Sequence, residues 1–500
     1  MKKYIFLLLL FPFIGFSGCN STNETESAYS SGYSTPEEEG ISSSAILKLV
    51  EALEEEQPDA LHSLMLRRHG KIVVQGWWAP YNPHSRHLLW SLSKSFTSTA
   101  IGIAQDEGLL SIDDQVISFF PEEVPENPSI NLQSMRISDL LRMNTGHDQE
   151  PSFRQMQSDN WVEAFLAHEV THKPGTHFRY NSMATYMCSA ILQKVSGQTL
   201  LEYLTPRLFE PLGIIDPTWE SDPRGINVGG WGMSVTTEDI SKLGQLYLQK
   251  GMWEGKQLLS TAWVEEATSL RTSNGSNPES DWDQGYGYQF WQCRHNAYRG
   301  DGAFGQYCIV MPEQDAVLAI TAGSNDLQGI LDVVWEHLLP AFEESPLAPD
   351  QESLDELNTK LKSLAISTVK GEESSPLAAD ISGRSYILSP NESKRASISF
   401  DFEKATPRIT ISSEEGEESF EAAFQQNILG SLTSPYLVSK QVAVSGAWTA
   451  SDTYVAKVIY YESPQSVIHT FRFEENRLFW DRENIAAFAP PKEKQFQASY

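Results

Sequence analysis

The pattern of hydrophobic residues changes once along the 500-residue chain, and this change constrains the fold more than any other feature. Between residues 41 and 345, helical periods alternate with short apolar runs, which predicts one mixed α/β domain. From residue 376 to residue 500, short stretches rich in β-branched and aromatic residues follow one another closely, which predicts an antiparallel all-β barrel or sandwich. Residues 346–375 between them are charged and contain Pro and Ser, which is typical of a linker, here with one short helix.

The first 19 residues have the pattern of an export signal. Lys2 and Lys3 precede the apolar stretch 4–16, and Ser17 and Gly18 lead to Cys19, which resembles a bacterial lipoprotein signal. We expect Cys19 to be lipidated and residues 20–40 to form a flexible tether. The sequence therefore predicts an exported protein, attached to a membrane through an N-terminal lipid anchor and facing the periplasm or the cell surface.

The net charge is strongly negative, because 37 basic residues stand against 66 acidic ones, giving −29. Binding to nucleic acid needs clustered Lys and Arg against phosphates, so this balance argues against a nucleic-acid partner. Cys293 and Cys308 lie on two strand-like runs around a Gly-rich turn. Either a disulfide or two buried free thiols fits that arrangement.

The chemistry begins at Ser91 and Lys94, which are three residues apart at the start of a predicted helix. Residues i and i+3 share a helix face, with Cβ atoms about 5–6 Å apart, so a lysine amine can reach the serine hydroxyl. A serine becomes a good nucleophile only when a base takes its proton. A lysine can serve if burial lowers its pKa by about 3 units. The apolar neighbours Trp90 and Phe96 favour such burial.

Several longer stretches carry a family resemblance in a consistent order. They are Trp90-Ser-Leu-Ser-Lys-Ser-Phe-Thr, Glu107-Gly-Leu-Leu-Ser-Ile-Asp-Asp, Ile137-Ser-Asp-Leu-Leu-Arg-Met-Asn-Thr-Gly, Pro174-Gly-Thr-His-Phe-Arg-Tyr-Asn-Ser and Val235-Thr-Thr-Glu-Asp-Ile. Over residues 41–339 the chain resembles the serine hydrolases related to β-lactamases and penicillin-binding proteins. The resemblance implies a central antiparallel sheet flanked by helices, a mostly helical subdomain and an active site between them, with Ser91 as nucleophile and Lys94 as proton acceptor. It implies no cofactor and no metal.

The resemblance also places Tyr180 as a catalytic tyrosine that passes a proton between Ser91 and the leaving group. The family usually has Tyr-x-Asn, whereas this chain has Tyr180-Asn181-Ser182. Ser182 therefore takes the third place, and Asn181 and Ser182 are candidate substrate-binding residues. A serine can donate a hydrogen bond, but it lacks the paired donor and acceptor of an amide.

A third family element is a strand that borders the site, and its candidate is Gly300-Asp301-Gly302. In that register the backbone N–H of Ala303, next to Gly302, completes an oxyanion hole with that of Ser91. The family's Lys or His is missing there, and Arg299 is the candidate replacement for its positive charge. We therefore expect acyl transfer to water from an ester, amide or peptide, with a small molecule or peptide as substrate.

Two other functions compete with this interpretation. His168-Glu169-Val-Thr-His172 matches the zinc-protease pattern, but that pattern needs a continuous helix, and Pro174 follows at once. The two departures from the family motifs also fit a non-catalytic or weakly catalytic penicillin-binding-like sensor.

Overall fold

The structure is a computed structural model, and it describes residues 32–151, 157–414, 416–432, 441–488 and 495–500. The predicted signal, with Cys19, lies outside the described residues. The described chain forms a mixed α/β domain followed by an all-β domain. Among these residues, no helix is long and apolar enough to cross a membrane.

A six-stranded antiparallel sheet forms the centre of the first domain, in the order β2-β1-β11-β10-β9-β8. Strand β1 is buried at all eight positions, because helices cover both faces of the sheet. The strands of this domain are β1 Leu61–Arg68, β2 Lys71–Trp77, β3 His87–Leu88, β4 Thr218–Trp219, β5 Met233–Val235, β6 Met252–Trp253, β7 Lys256–Gln257, β8 Trp291–Gln292, β9 Tyr298–Gly302, β10 Gln306–Met311 and β11 Ala316–Ala322.

Helices lie on both faces of this sheet, and the helices α3 to α8 form the mostly helical subdomain that the resemblance implied. Single turns of 3₁₀ helix occur at several places, including Trp90–Leu92 directly before α2. The α-helices are α1 Ser43–Glu56, α2 Ser93–Asp106, α3 Ile130–Ser134, α4 Ile137–Leu141, α5 Trp161–Ala167, α6 Ser182–Ser196, α7 Leu200–Leu204, α8 Glu210–Leu212, α9 Thr237–Leu248, α10 Thr261–Ala267, α11 Leu327–Val333, α12 Gln351–Ser363 and α13 Ala378–Ile381.

One strand is much shorter than the sequence suggests. The strand-like run that ends at Cys293 begins at Tyr286 in the sequence, but only Trp291 and Gln292 of it form β8. Gln289 has a φ of 65°, in the left-handed region, and its backbone N–H bonds to Leu141 in the helical subdomain. This turn therefore interrupts the extended chain before Trp291.

The C-terminal domain is a nearly closed barrel of ten antiparallel strands, which decides between the barrel and the sandwich. Its strand order begins with β15 and ends with β16, which are consecutive in the chain and contact each other. Aromatic and aliphatic side chains fill the interior. The strands are β12 Ser385–Leu388, β13 Arg395–Asp401, β14 Arg408–Ser413, β15 Gly416–Glu421, β16 Ile428–Ser431, β17 Gln441–Ala450, β18 Thr453–Ile459, β19 Ser466–Glu474, β20 Arg477–Ile485 and β21 Gln495–Ser499.

The two domains are joined by polar contacts. Lys457 of β18 lies 3.0 Å from the Asp59 carboxylate, and the backbone N–H of Leu88 donates to the carbonyl of Glu462 at 2.9 Å. Leu88 is three residues before Ser91, so the barrel is anchored close to the predicted nucleophile.

Cys293 and Cys308 are both free and buried, and they contact different sides of the sheet. Cys308 packs in the core cluster that contains α2 and α9, whereas Cys293 packs in the cluster on the opposite side. Of the two alternatives left open by the sequence, the structure has the free thiols.

Candidate active site

Ser91 lies on a strained turn at the entrance to α2. The preceding residue, Trp90, has a φ of 49°, in the left-handed region that side chains other than glycine rarely adopt. The Ser93 hydroxyl stabilises this turn, since it donates to the Trp90 carbonyl at 2.7 Å and accepts from the Met233 backbone N–H at 3.1 Å. The turn leaves Ser91 partly exposed at the start of an otherwise buried helix.

Lys94 lies one turn along and is 2% exposed. Its Nζ is 3.1 Å from the Ser91 Oγ, 3.1 Å from the Ser182 Oγ and 2.6 Å from the Gly230 carbonyl oxygen. A neutral amine has two N–H donors and one lone pair. The carbonyl of Gly230 can only accept, so it takes one donor, and the Ser182 hydroxyl can take the other. The lone pair is then available to the Ser91 O–H.

Burial lowers the pKa of Lys94 to about 7, because the charged ammonium loses its hydration. The carboxylates of Glu150 and Asp301 oppose this shift, since a nearby negative charge favours the ammonium. A substantial fraction of the amine is thus neutral near neutral pH, as a general base requires.

The third partner of Lys94 comes from a glycine turn. Gly229 has a φ of 64°, and a Cβ on Gly230 would lie 2.6 Å from the Ser182 carbonyl oxygen. The Thr97 hydroxyl of α2 donates to the Gly229 carbonyl at 2.9 Å, and this hydrogen bond connects the glycine turn to α2. Both glycines are therefore needed for the Gly230 carbonyl to approach Lys94 this closely.

Tyr180 completes a triangle with Ser91 and Lys94. Its ring centroid lies 4.9 Å from the Lys94 Nζ, and the nearby Ser91 side chain partly opposes the rise in the pKa of Tyr180. The ring stacks on Trp291, with centroids 5.5 Å apart and planes at 19°. Burial and the Asp301 carboxylate raise the pKa of Tyr180, so the phenol keeps its proton at neutral pH.

Ser182 and Asn181 have separate roles in the structure. Ser182 faces the site through its contact with Lys94, and its backbone N–H donates to the Glu150 Oε1 at 2.6 Å. The Asn181 side chain is fully buried and caps α6, accepting the Ala184 backbone N–H at 3.1 Å. Asn181 thus stabilises the helix start, and its side chain is buried instead of exposed to the site as the substrate-binding prediction expected.

Strand β9, which contains Gly300-Asp301-Gly302, borders the turn Trp90–Leu92 that carries Ser91. A Cβ on Gly302 would lie 2.0 Å from the Leu89 carbonyl oxygen, and a Cβ on Gly300 would lie 2.5 Å from both the Leu92 side chain and the Ser95 hydroxyl. The two glycines therefore allow the strand to approach the start of α2 directly. Ala303 follows at the partly exposed end of this strand.

The position of Arg299 corrects another expectation. Its side chain is fully buried, forms an ion pair with Asp301 at 2.9 Å and donates to the Asp281 carbonyl at 2.8 Å. Its guanidinium also lies 4.4 Å from the Trp282 ring. Arg299 therefore offers no accessible positive charge to a substrate, because it sits behind the strand with its charge paired.

The zinc-protease geometry of His168, Glu169 and His172 is absent. Helix α5 ends at Ala167, and His168 is its C-cap in an extended conformation. His168 packs against His147, whereas His172 bonds to Asp148. The two histidines do not share a helix face, so the rival interpretation loses its structural basis.

Three further residues lie beside the site and were not predicted from the sequence: Glu150, Gly230 and Trp291. Each contacts a predicted site residue from a distant part of the chain. The Gly-Gly pair at 229–230 was the one local signal available, since such pairs mark sharp turns.

Comparison with known proteins gives a family for the first domain. The β-lactamase family model matches residues 50–334, which is more than half of the chain. The 6-aminohexanoate-dimer hydrolase of Paenarthrobacter ureafaciens is 27% identical over 296 residues, covering 54% of this chain and 74% of that protein.

Two further matches are more distant. Protein flp of Staphylococcus aureus (strain MW2) is 25% identical over 172 residues, and the match spans 32% of this chain and 34% of flp. The solved structure of EstCE1, described as a hydrolase with promiscuous acyltransferase activity, superposes with a TM-score of 0.50 at 16% identity. That superposition covers 58% of this chain and 98% of EstCE1, and it supports the fold of the first domain.

Proposed function

Because the chain belongs to the β-lactamase family and is a serine hydrolase, we propose that it cleaves an ester or amide bond through an acyl-enzyme on Ser91. The observation that carries this proposal is the contact of the buried Lys94 amine with the Ser91 hydroxyl at 3.1 Å. An amine with a pKa of about 7 can take a proton at neutral pH and return it in the same cycle.

In the first step, the neutral amine of Lys94 takes the Ser91 proton while Oγ attacks the substrate carbonyl carbon. The carbonyl π electrons move to oxygen and give a tetrahedral oxyanion. The backbone N–H groups of Ser91 and Ala303 are the proposed donors to that oxyanion. When the carbon–leaving-group bond breaks, the Tyr180 phenol protonates the leaving group and regains a proton from the Lys94 ammonium.

The second step reverses this proton path with water as nucleophile. Water loses a proton to Lys94 and attacks the acyl carbon, and Ser91 leaves as its hydroxyl. The carboxylic acid product departs, and Ser91, Lys94 and Tyr180 return to their starting protonation states.

The charges around the site favour a substrate without a carboxylate next to the scissile bond. Glu150 places negative charge near Lys94, whereas Asp301 and Arg299 form an ion pair in which their two charges offset each other. A penicillin or a D-alanyl peptide would bring its carboxylate towards these groups, at an electrostatic cost. We therefore propose neutral esters and linear amides as the substrate class, and the name of the Paenarthrobacter relative makes the 6-aminohexanoate dimer a sensible first amide to test.

Intact-mass measurement after reaction with a fluorophosphonate tests the nucleophile. We expect one adduct per chain in the wild type and none in Ser91→Ala. The variant Ser118→Ala is the matched control, because it removes an exposed serine outside the proposed site. It should react with the fluorophosphonate as the wild type does. Full labelling of Ser91→Ala would refute the proposed nucleophile.

A hydrolysis panel tests the substrate class. It contains short-chain esters, the 6-aminohexanoate dimer, a D-amino-acid peptide and a chromogenic cephalosporin. We expect larger kcat/KM values for the neutral esters and the 6-aminohexanoate dimer than for the cephalosporin. Preferential cephalosporin hydrolysis would overturn the charge argument while leaving the Ser91 assignment intact. An acyl-enzyme that forms but never turns over would instead support the sensor interpretation.

A further inference from the structure

A cluster of metal-binding side chains lies outside the proposed catalytic residues, where the segments 144–150 and 170–177 meet. It contains Asp148, His172 and His177, whose ligand atoms all lie within 4.8 Å of one another. The His172 Nε2 is 2.5 Å from the Asp148 Oδ1, and the two imidazole rings have centroids 4.2 Å apart. We propose that these three residues bind one divalent transition-metal ion of the zinc type.

The ligand chemistry supports this class of ion. Two imidazoles and one carboxylate suit zinc and similar ions, whereas magnesium and calcium prefer all-oxygen sites. Zinc bonds of about 2.0–2.2 Å in a tetrahedron place neighbouring ligand atoms roughly 3.3 Å apart. Small side-chain rotations therefore suffice to bring the three groups to one ion, with a fourth position left for water.

The backbone around the cluster is already organised. The His172 backbone N–H donates to the Gly146 carbonyl at 2.9 Å, and Gly175 N–H donates to the Asn144 carbonyl at 2.8 Å. Gly146 has a φ of 87°, and a Cβ there would lie 2.3 Å from the His172 carbonyl oxygen. The close approach of the two segments thus depends on Gly146. Because the backbone is already held in place, a bound ion would need to order only the three side chains.

The location gives the ion a structural role beside the catalytic residues. Asp148 is two residues before Glu150, which accepts the Ser182 backbone N–H. His177 is three residues before Tyr180, whose ring centroid lies 4.9 Å from the Lys94 Nζ. A bound ion cross-links the two segments that deliver these groups. Asp148, His172 and His177 are positioning residues in this proposal, and the proposal does not depend on the role of Ser91.

Isothermal titration of Zn²⁺ into the chelator-treated full chain tests the site. We expect one Zn²⁺ per chain and a rise in Tm on binding. The affinity for Zn²⁺ should fall at least about tenfold in His177→Ala. It should fall as much in the conservative variant Asp148→Asn, which keeps a hydrogen-bond acceptor. His84→Ala, which removes an exposed histidine elsewhere, should bind as the wild type does.

A second measurement guards against misfolded variants. The Tm of each variant without metal should match that of the metal-free wild type, and Co²⁺ should give the visible spectrum of a tetrahedral site in the wild type alone. The proposal is overturned if the wild type binds no Zn²⁺, or if the double variant His172→Ala/His177→Ala binds it as tightly. Both readouts are independent of hydrolysis.

Discussion

The ring of Phe488, from the C-terminal barrel, lies 4.9 Å from the indole of Trp90, with the two planes at 87°. Phe488 also lies 4.8 Å from Phe304, and Phe304 contacts Trp90 in turn. Trp90 immediately precedes Ser91, and Phe304 immediately follows Ala303. The second domain thus adds an aromatic side chain to the rim of the proposed site, and this side chain is 71% exposed.

We expect Phe488→Ala to weaken the binding of substrates with long apolar acyl groups. Covering an aromatic ring with substrate removes apolar area from water, and losing part of that contact corresponds to roughly a tenfold decrease in kcat/KM. The effect should appear mainly in KM and should be small for acetyl esters. Kinetics on a series of esters of increasing acyl length provide the measurement.

Leu429→Ala is the control for this prediction, because Leu429 is a similarly exposed apolar residue elsewhere on the barrel, at 64%. It should leave the whole ester series unchanged. If Phe488→Ala lowers kcat/KM equally for short and long esters, the ring does not contact the acyl group.

Local sequence predicted the parts of the site that depend on spacing within one element. The approach of Lys94 to Ser91 follows from helix geometry, and the strand beside them followed from the glycines at 300 and 302. Glu150 and Gly230 were not predictable in this way, because each is brought to the site by the packing of segments distant in sequence. Their contacts with Ser182 and Lys94 depend on the tertiary fold alone.

The error at Arg299 has a related cause. Successive side chains of a strand point to opposite faces, and the Cβ positions of Gly300 and Gly302 face the start of α2. Arg299 and Asp301 therefore point away from that face. The position of Arg299 in the sequence indicated that it lies close to the site. The sequence did not indicate which face of the strand points towards the site.

The rate of hydrolysis should follow the protonation of Lys94. Below its pKa of about 7 the amine carries a proton and cannot accept another from Ser91, so kcat/KM should fall about tenfold per pH unit. Above that pH the neutral amine predominates and the rate should level off. Measuring kcat/KM between about pH 5 and pH 9 tests whether the rate rises with pH and then levels off.

Lys94→Arg provides the matching variant, since a guanidinium keeps its positive charge throughout this range. We expect a loss of about 10²–10⁴-fold at every pH. Lys250→Arg makes the same exchange at an exposed ion pair and should have no effect. A wild-type profile that rises towards acid pH would contradict the general-base role.

Glu150→Gln should move the pH profile to lower pH. The Glu150 carboxylate favours the charged form of Lys94, so removing its charge lowers the pKa of the amine further. The glutamine keeps an amide oxygen able to accept the Ser182 backbone N–H, so the geometry should persist. The inflection of kcat/KM against pH is the measurement, and Glu169→Gln, at an exposed acid, is the control. A shift towards higher pH would show that Glu150 does not act on Lys94 through its charge.

Gly302→Ala should lower kcat strongly although it adds only one methyl group. The new methyl group would lie 2.0 Å from the Leu89 carbonyl oxygen, which is backbone and cannot rotate away. Either β9 or the Leu89–Ser91 turn must move, and overpacking of this kind costs about 1–3 kcal/mol of unfolding free energy. A displacement of about 1 Å at the nucleophile can cost around 100-fold in rate, so kcat should fall while Tm falls only moderately.

Gly430→Ala is the matched control, because the nearest atom to its new Cβ is 4.0 Å away in the barrel. It should retain wild-type kcat and Tm. Chemical denaturation and ester hydrolysis on the same preparations separate the two effects. If Gly302→Ala loses stability but keeps full kcat, then the close approach of β9 serves folding alone, because the Ser91 turn has tolerated the shift.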